Sequence, residues 1–205
     1  MPTLTQIKET KKGRFALFFD GEFAFSLDEE TYVKAHLNPD DVLEDWQIDE
    51  LRKQSDTRRA LDKAMDYLSL RDHAAGELYQ KLCRKFDAHS AAYAVAKAGE
   101  LGLLNDAGFA RRRAAELLRK RKSRRDILND LSLKGIDRDT AAEVVEELFA
   151  EGEDGENPEL ATARALVERQ YAAKLAAGKR DQVAAALARR GFSHAVIREV
   201  LSDDE

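Results

Sequence analysis

From Thr57 to the end of the chain, apolar residues recur every three or four positions, the spacing that lines one face of an α-helix. The stripes come in triplets. Ala60, Leu61, Ala64, Met65 and Leu68 form the first stripe, Leu78, Leu82 and Phe86 the second, and Ala92, Val95 and Ala96 the third. A second triplet follows, on Phe109, Ala110, Ala114, Leu117 and Leu118, then Ile127, Leu128 and Leu131, then Ala141, Val144, Val145, Leu148 and Phe149. A third runs through Leu160, Ala163, Leu166, Val167 and Tyr171, then Val183, Ala184 and Leu187, then Val196, Ile197, Val200 and Leu201. The middle stripes end alike, in Leu82-Cys-Arg-Lys-Phe86, Leu131-Ser-Leu-Lys-Gly-Ile136 and Leu187-Ala-Arg-Arg-Gly-Phe192. The anchor leucines lie 49 and 56 residues apart, a period that marks a stacked helical array. Capping residues punctuate it: Asn105 or Asp106, Ser123 with Asp126, Asp137, Asn157 before Pro158, and Ser193. Gly135 and Gly191 fall just past an amphipathic stretch, where a left-handed residue ends a helix.

The first 56 residues read differently. Asp20-Gly21 between two apolar runs predicts a two-residue hairpin turn, because both central residues need positive φ. That turn pairs Phe19 with Glu22, Phe18 with Phe23 and Ala16 with Phe25, and puts Phe18, Phe23, Phe25 and Leu27 on one face, to be covered by the segment that follows. Ser26 with Glu29 predicts a capping box opening a helix through Leu37, ended by Asn38-Pro39. Asp40 or Asp41 then starts another helix carrying Val42, Leu43, Trp46, Ile48 and Leu51. The fold class expected is mainly α: a tandem array of three three-helix repeats, nine short helices, elongated and curved, preceded by a small N-terminal β-hairpin plus helices. The division expected is a head at 1–56, repeats at 57–104, 105–150 and 158–205, and an acidic linker at 151–157.

Composition supports a helix-rich, soluble protein, since 36% of the 205 residues are charged and only 7% are aromatic. No apolar run approaches a membrane span, and Met1-Pro-Thr-Leu-Thr-Gln-Ile-Lys8 has no signal-peptide core, so a cytoplasmic protein without membrane contact is expected. The single cysteine, Cys83, excludes an internal disulfide; beside Leu82 in an apolar stripe it reads as a buried, inert thiol.

The net charge of −5 conceals an asymmetry. Residues 1–56 carry 7 Lys/Arg against 13 Asp/Glu, residues 57–149 carry 19 against 15, and residues 150–205 carry 8 against 11. Within the middle part, residues 111–125 hold nine basic residues and one acid, Glu116. Arg111, Arg112, Arg113, Arg119, Lys120, Arg121, Lys122, Arg124 and Arg125 therefore form a basic stripe whose guanidinium forks suit phosphate or carboxylate. The plainer alternative is a solvated helix face.

Catalysis is not expected. His36, His73, His89 and His194 share no face and no metal-ligand spacing, and the chain has no phosphate-cradling glycine loop, no GxSxG and no carboxylate pair framed by apolar residues. His73 reads as a capping or packing residue, and Tyr67, Tyr79 and Tyr171 as core or edge aromatics. No cofactor and no metal are expected.

Ala60-Leu61 with Tyr67-Leu68-Ser69, then Arg71, His73, Glu77-Leu78 and Lys81-Leu82, then Gly102-Leu103-Leu104-Asn105-Asp106 with Phe109-Ala110, then Leu131 with Lys134-Gly135-Ile136, closely resemble the RecX family. The likeness covers roughly residues 57–205, and the hairpin head resembles the N-terminal extension of longer members. Phe86 stands where the family usually has glycine, Ala74 where it has serine, and Lys122-Ser123 where a glycine often separates the first two helices of the second repeat. The resemblance implies a non-catalytic monomer that binds the RecA recombinase filament on single-stranded DNA, with weak direct DNA binding, and modulates, usually inhibits, its ATPase, strand exchange and SOS coprotease activity. The alternative is an autonomous helical DNA-binding protein acting through the basic stripe, its short helix pairs serving as helix-turn-helix readers.

Overall fold

A computed structural model describes residues 1–150 and 157–202. The elements follow in the order β1 (Leu4–Glu9), β2 (Phe15–Phe19), β3 (Glu22–Leu27), α1 (Glu29–Ala35), α2 (Asp45–Leu70), α3 (Ala75–Leu82), α4 (Ala88–Glu100), α5 (Asp106–Arg119), α6 (Arg124–Leu133), α7 (Arg138–Phe149), α8 (Pro158–Gln170), α9 (Ala172–Ala176), α10 (Arg180–Arg189) and α11 (His194–Ser202). The predominance of helix and the small N-terminal sheet match the fold class read from the sequence. Among the described residues there are eleven helices, because α1 belongs to the head and a five-residue α9 intervenes before α10. The expected linker falls on 151–156, outside the described residues, and on Asn157, which caps α8 by accepting from the backbone N–H of Glu159. Two compact units emerge, one of Met1–Arg71 with Leu78–Leu103 and one of Asp72–Glu77 with Leu104–Glu205.

In the first unit the sheet has three antiparallel strands in the order β1-β2-β3. The Asp20-Gly21 turn and the pairs Phe19↔Glu22 and Phe18↔Phe23 form as predicted, with φ of +49° and +86° at the two turn residues. Beyond them the register shifts, so Leu17, not Ala16, lies opposite Phe25. The extra residue, Ala24, moves the buried face to Leu17, Phe19, Phe25 and Leu27, and leaves Phe23 60% exposed. Phe15 stacks on Tyr32 of α1 at 4.1 Å between ring centroids, so the following segment does cover the sheet. The cap of α1 is Asp28, which accepts from the Thr31 N–H at 3.0 Å, and not Ser26.

α2 starts at Asp45, later than expected, with the Gln47 side chain accepting from the Glu44 N–H. Val42 and Trp46 are exposed, and the Trp46 indole donates to the Glu44 carboxylate. The helix then runs unbroken past residue 56, the expected edge of the head, to Leu70. Its buried line is Ile48, Leu51, Ser55, Ala60 and Ala64. Ser55 holds its place in that line because its hydroxyl donates to the Ser26 carbonyl at 2.6 Å and accepts from Arg14 at 2.9 Å. α4 packs along α2 through Ser90, Ala91, Ala94 and Ala98, whereas the expected Ala92 and Ala96 are exposed. An alanine-rich helix offers little contrast between faces, and the side that meets α2 decides which alanines are buried. Cys83 is exposed, a correction to the buried thiol expected: it lies one residue past the end of α3, where the chain leaves the apolar stripe.

The second unit has two hydrophobic cores. One joins Ala110, Ala114 and Leu117 of α5, Ile127 and Leu131 of α6, and Val144, Val145 and Phe149 of α7, with Ala74 packed against them. The other joins Leu160, Leu166, Val183, Leu187, Phe192, Val196, Ile197 and Leu201. Gly135 and Gly191 take φ of +76° and +87°, so both helix-ending turns are left-handed as expected. Each also packs against the start of an earlier helix. Gly135 meets Gly76, and a Cβ on either would come within 2.6 Å of the other's Cα. Gly191 meets Ser123, whose hydroxyl would lie 2.7 Å from such a Cβ.

Ser123 is 1% exposed and does two things. Its hydroxyl accepts from the Asp126 N–H at 3.2 Å, capping α6, and donates to the Arg190 carbonyl at 2.8 Å. Ser123→Ala loses both bonds and leaves that carbonyl without its donor, so urea unfolding is expected to show a loss of about 1–3 kcal/mol.

Candidate polyanion-binding surface

The basic stripe is not one continuous helix. Arg111, Arg112, Arg113 and Arg119 lie on α5, Lys120 to Lys122 form the turn, and Arg124 and Arg125 open α6. Ala110, Ala114 and Leu117 hold α5 against the core and Ile127 holds α6, which turns the charged positions outward. The turn closes in an unusual way. The Lys122 N–H reaches back to the Leu117 carbonyl at 3.1 Å and the Arg121 N–H to Leu118 at 2.8 Å, with Arg121 at φ +57°. This is the geometry a glycine normally supplies, and an arginine adopts it at a cost of roughly 1–2 kcal/mol.

Most of the stripe is already engaged within the unit. Arg113 is the most committed: its guanidinium forks onto Asp130 of α6 with two bonds of 2.8 Å and adds Glu116 at 3.0 Å. The hydrogen bonds from Arg113 hold the Asp130 carboxyl below the ordinary range, and the pair in turn raises the Arg113 guanidinium. Glu116 also accepts from Lys120 at 2.5 Å, and these contacts keep its carboxyl low. Arg111 pairs with Glu147 at 3.2 Å, Arg112 with Asp72 at 2.5 Å, and Lys122 with Asp126 at 3.4 Å. Arg124 pairs with Glu146. Nearby on α8, burial pushes the Glu159 carboxyl up.

Three cations differ. Arg119, Arg121 and Arg125 have no carboxylate within salt-bridge distance among the described residues, and Arg119 and Arg125 are exposed. The nine stripe residues thus divide into six that brace the fold and three at the α5–α6 turn that carry unneutralised charge outward. Such a cluster can hold a polyanion by bidentate hydrogen bonds and counterion release. No group of three metal-ligating side chains occurs among the described residues, and no described helix is long and apolar enough to cross a membrane. His73 is 3% exposed, and Tyr67, Tyr79 and Tyr171 are half-buried at helix edges.

Three family models match the chain in order: the regulatory protein RecX N-terminal domain over residues 2–44, the RecX first three-helix domain over 60–97 and the RecX second three-helix domain over 105–145. The chain belongs to the RecX family. Among curated RecX proteins, the regulatory protein RecX of Lactobacillus gasseri is 34% identical over 159 residues, which cover 76% of this chain and 57% of that protein. The regulatory protein RecX of Bacillus subtilis is 27% identical over 209 residues, covering 100% of this chain and 78% of that protein. The chain thus spans little more than half the length of the first of these relatives. A crystal structure of regulatory protein RecX superposes with a TM-score of 0.69 at 20% identity and full coverage of both chains. RecX from Lactobacillus salivarius gives 0.61 at 21% identity, over 72% of this chain and 96% of that one. At these identities the two structures establish the shared RecX fold. The family resemblance leads one to expect a glycine at Lys122-Ser123; in this RecX chain the left-handed residue of that turn is Arg121, at φ +57°.

Proposed function

We propose that this chain is a non-catalytic, cytoplasmic regulator that binds the RecA recombinase filament on single-stranded DNA as a monomer and inhibits its ATPase, strand-exchange and SOS coprotease activities. The observation that carries the reading is the group of unneutralised arginines at the α5–α6 turn, Arg119, Arg121 and Arg125, in a member of a family of regulatory proteins. A filament on DNA presents phosphates and acidic side chains in a repeating register, and a tandem helical array offers an extended face to meet it. The head, the three repeats and the short acidic segment between the second and third are the parts of that array.

The test is RecA-catalysed ATP hydrolysis on single-stranded DNA. Addition of the protein at stoichiometric amounts is expected to suppress hydrolysis, and the triple replacement of Arg119, Arg121 and Arg125 by alanine to raise the required concentration at least about tenfold with unchanged circular dichroism. No effect of the unsubstituted protein on hydrolysis would sink the proposal. Tight, sequence-selective binding to bare duplex without RecA would favour an autonomous DNA reader instead.

A further inference from the structure

The charge pattern along the chain assigns the basic stripe to the second repeat alone, because residues 150–205 hold more acids than bases. Packing within the second unit changes that assignment. The Ser123 hydroxyl bonds the Arg190 carbonyl at 2.8 Å, which places the end of α10 directly against the start of α6. On the other side of the same contact, the Cβ and Nε of Arg125 lie 3.3 and 3.4 Å from the position a Cβ would take on Gly191. Two residues 66 apart in sequence, Arg125 and Gly191, are therefore in contact, and the consecutive arginines Arg189 and Arg190 stand beside the α5–α6 turn.

Neither of these arginines is neutralised among the described residues. Arg189 is exposed and has no partner there. Arg190 donates to the amide oxygen of Gln170 at 2.8 Å and its guanidinium lies 5.8 Å from the Tyr171 ring centroid, contacts that fix its position without cancelling its charge. Positive charge gathered from two distant segments raises the energy of the free protein by mutual repulsion, and a bound polyanion relieves it. A row of forked cations that passes from a helix end through a turn to a second helix end suits a repeating anion, spaced along a backbone.

We infer that Arg189 and Arg190 of the third repeat complete one phosphate-binding surface with Arg119, Arg121 and Arg125 of the second, and that its occupant is the sugar-phosphate backbone of single-stranded DNA. The inference rests on the reading of the α5–α6 turn as the DNA-contacting surface. Gly191 and Ser123 act as the hinge pin of this surface: the missing Cβ lets the two arginine segments close on each other.

The experiment is fluorescence anisotropy of a labelled oligo-dT strand titrated with the full chain between 50 and 300 mM salt. The double substitution Arg189→Ala with Arg190→Ala is expected to flatten the slope of log K against log salt by about 1.4, at ~0.7 for each single-strand phosphate contact, and to weaken binding about twentyfold at 0.1 M salt. Arg189→Glu alone, at an exposed position that bonds nothing described, is expected to weaken binding at least as much as Arg189→Ala and guards against a folding defect from the loss of Arg190. If the Arg119, Arg121 and Arg125 triple variant loses affinity while both Arg189 variants and the double variant bind as the unsubstituted protein does, the third repeat is no part of the surface and the inference fails alone. If the triple variant also binds unchanged, or the unsubstituted protein does not bind the strand, the underlying reading of the turn fails with it.

Discussion

Gly135→Ala is expected to destabilise the second unit by about 3–5 kcal/mol. Two costs combine. The residue sits at φ +76°, where a side chain meets its own backbone at roughly 1–2 kcal/mol, and the added Cβ would stand 2.6 Å from Gly76 Cα and 3.2 Å from its carbonyl carbon. Neither atom belongs to a side chain that could swing aside, so the backbones must separate. The separation also strains the Lys134–Glu77 ion pair, 2.7 Å long and with the Glu77 side chain only 12% exposed. Gly76→Ala meets the same wall without the φ penalty and is expected to cost about 1–3 kcal/mol. Gly191→Ala should fall between, since the atom it meets first is the Ser123 hydroxyl. Chemical denaturation monitored by circular dichroism ranks the three; equal losses at Gly135 and at Gly13, where φ is +66° but nothing lies within 4 Å, would mean that the close approach contributes nothing.

Arg113→Ala is expected to cost about 2–3 kcal/mol at neutral pH and to leave DNA affinity the least altered of the stripe substitutions. The guanidinium is 28% exposed and locked onto a carboxylate that is 26% exposed, so removal leaves Asp130 charged, half-buried and short of two charge-assisted bonds. The acid dependence carries a sign. Arg113 lowers the pKa of Asp130 in the folded protein, so the pair stabilises the fold fully above the ordinary aspartate value near ~4 and loses that contribution as pH falls through the folded pKa. The stability gap between the unsubstituted protein and the variant should therefore be widest at neutral pH and close below about pH 4. A gap that stays constant from pH 7 to pH 3 would show that Arg113 acts through packing alone.

The array itself was legible because its signals are local. Caps at Asn105, Ser123, Asp137, Asn157 and Ser193, and left-handed glycines at 135 and 191, depend on neighbours within a few residues and form as the sequence suggests. What was not legible depends on residues far apart. β1 went unseen because a bulge between Leu4 and Gln6 breaks the alternation of its apolar positions. The unbroken course of α2 was hidden by Ser55, a polar residue in an apolar line whose partners, Ser26 and Arg14, lie 29 and 41 residues away. At the candidate surface the sequence showed the density of positive charge and not its availability. Asp72, Asp130, Glu146 and Glu147 silence Arg112, Arg113, Arg124 and Arg111 from distances of 17 to 40 residues, and no periodicity reports such a pairing.

The shared hydroxyl of Ser123 also bears on how the second unit comes apart. A cap normally belongs to its own helix and survives the melting of its neighbours. Here the oxygen that terminates α6 is oriented by a carbonyl at the end of α10, so loss of order around Arg190 frees that hydroxyl to rotate and loosens the first turn of α6. Local opening on one side is therefore expected to loosen the other, so that hydrogen exchange in the first turn of α6 and at the end of α10 should rise together.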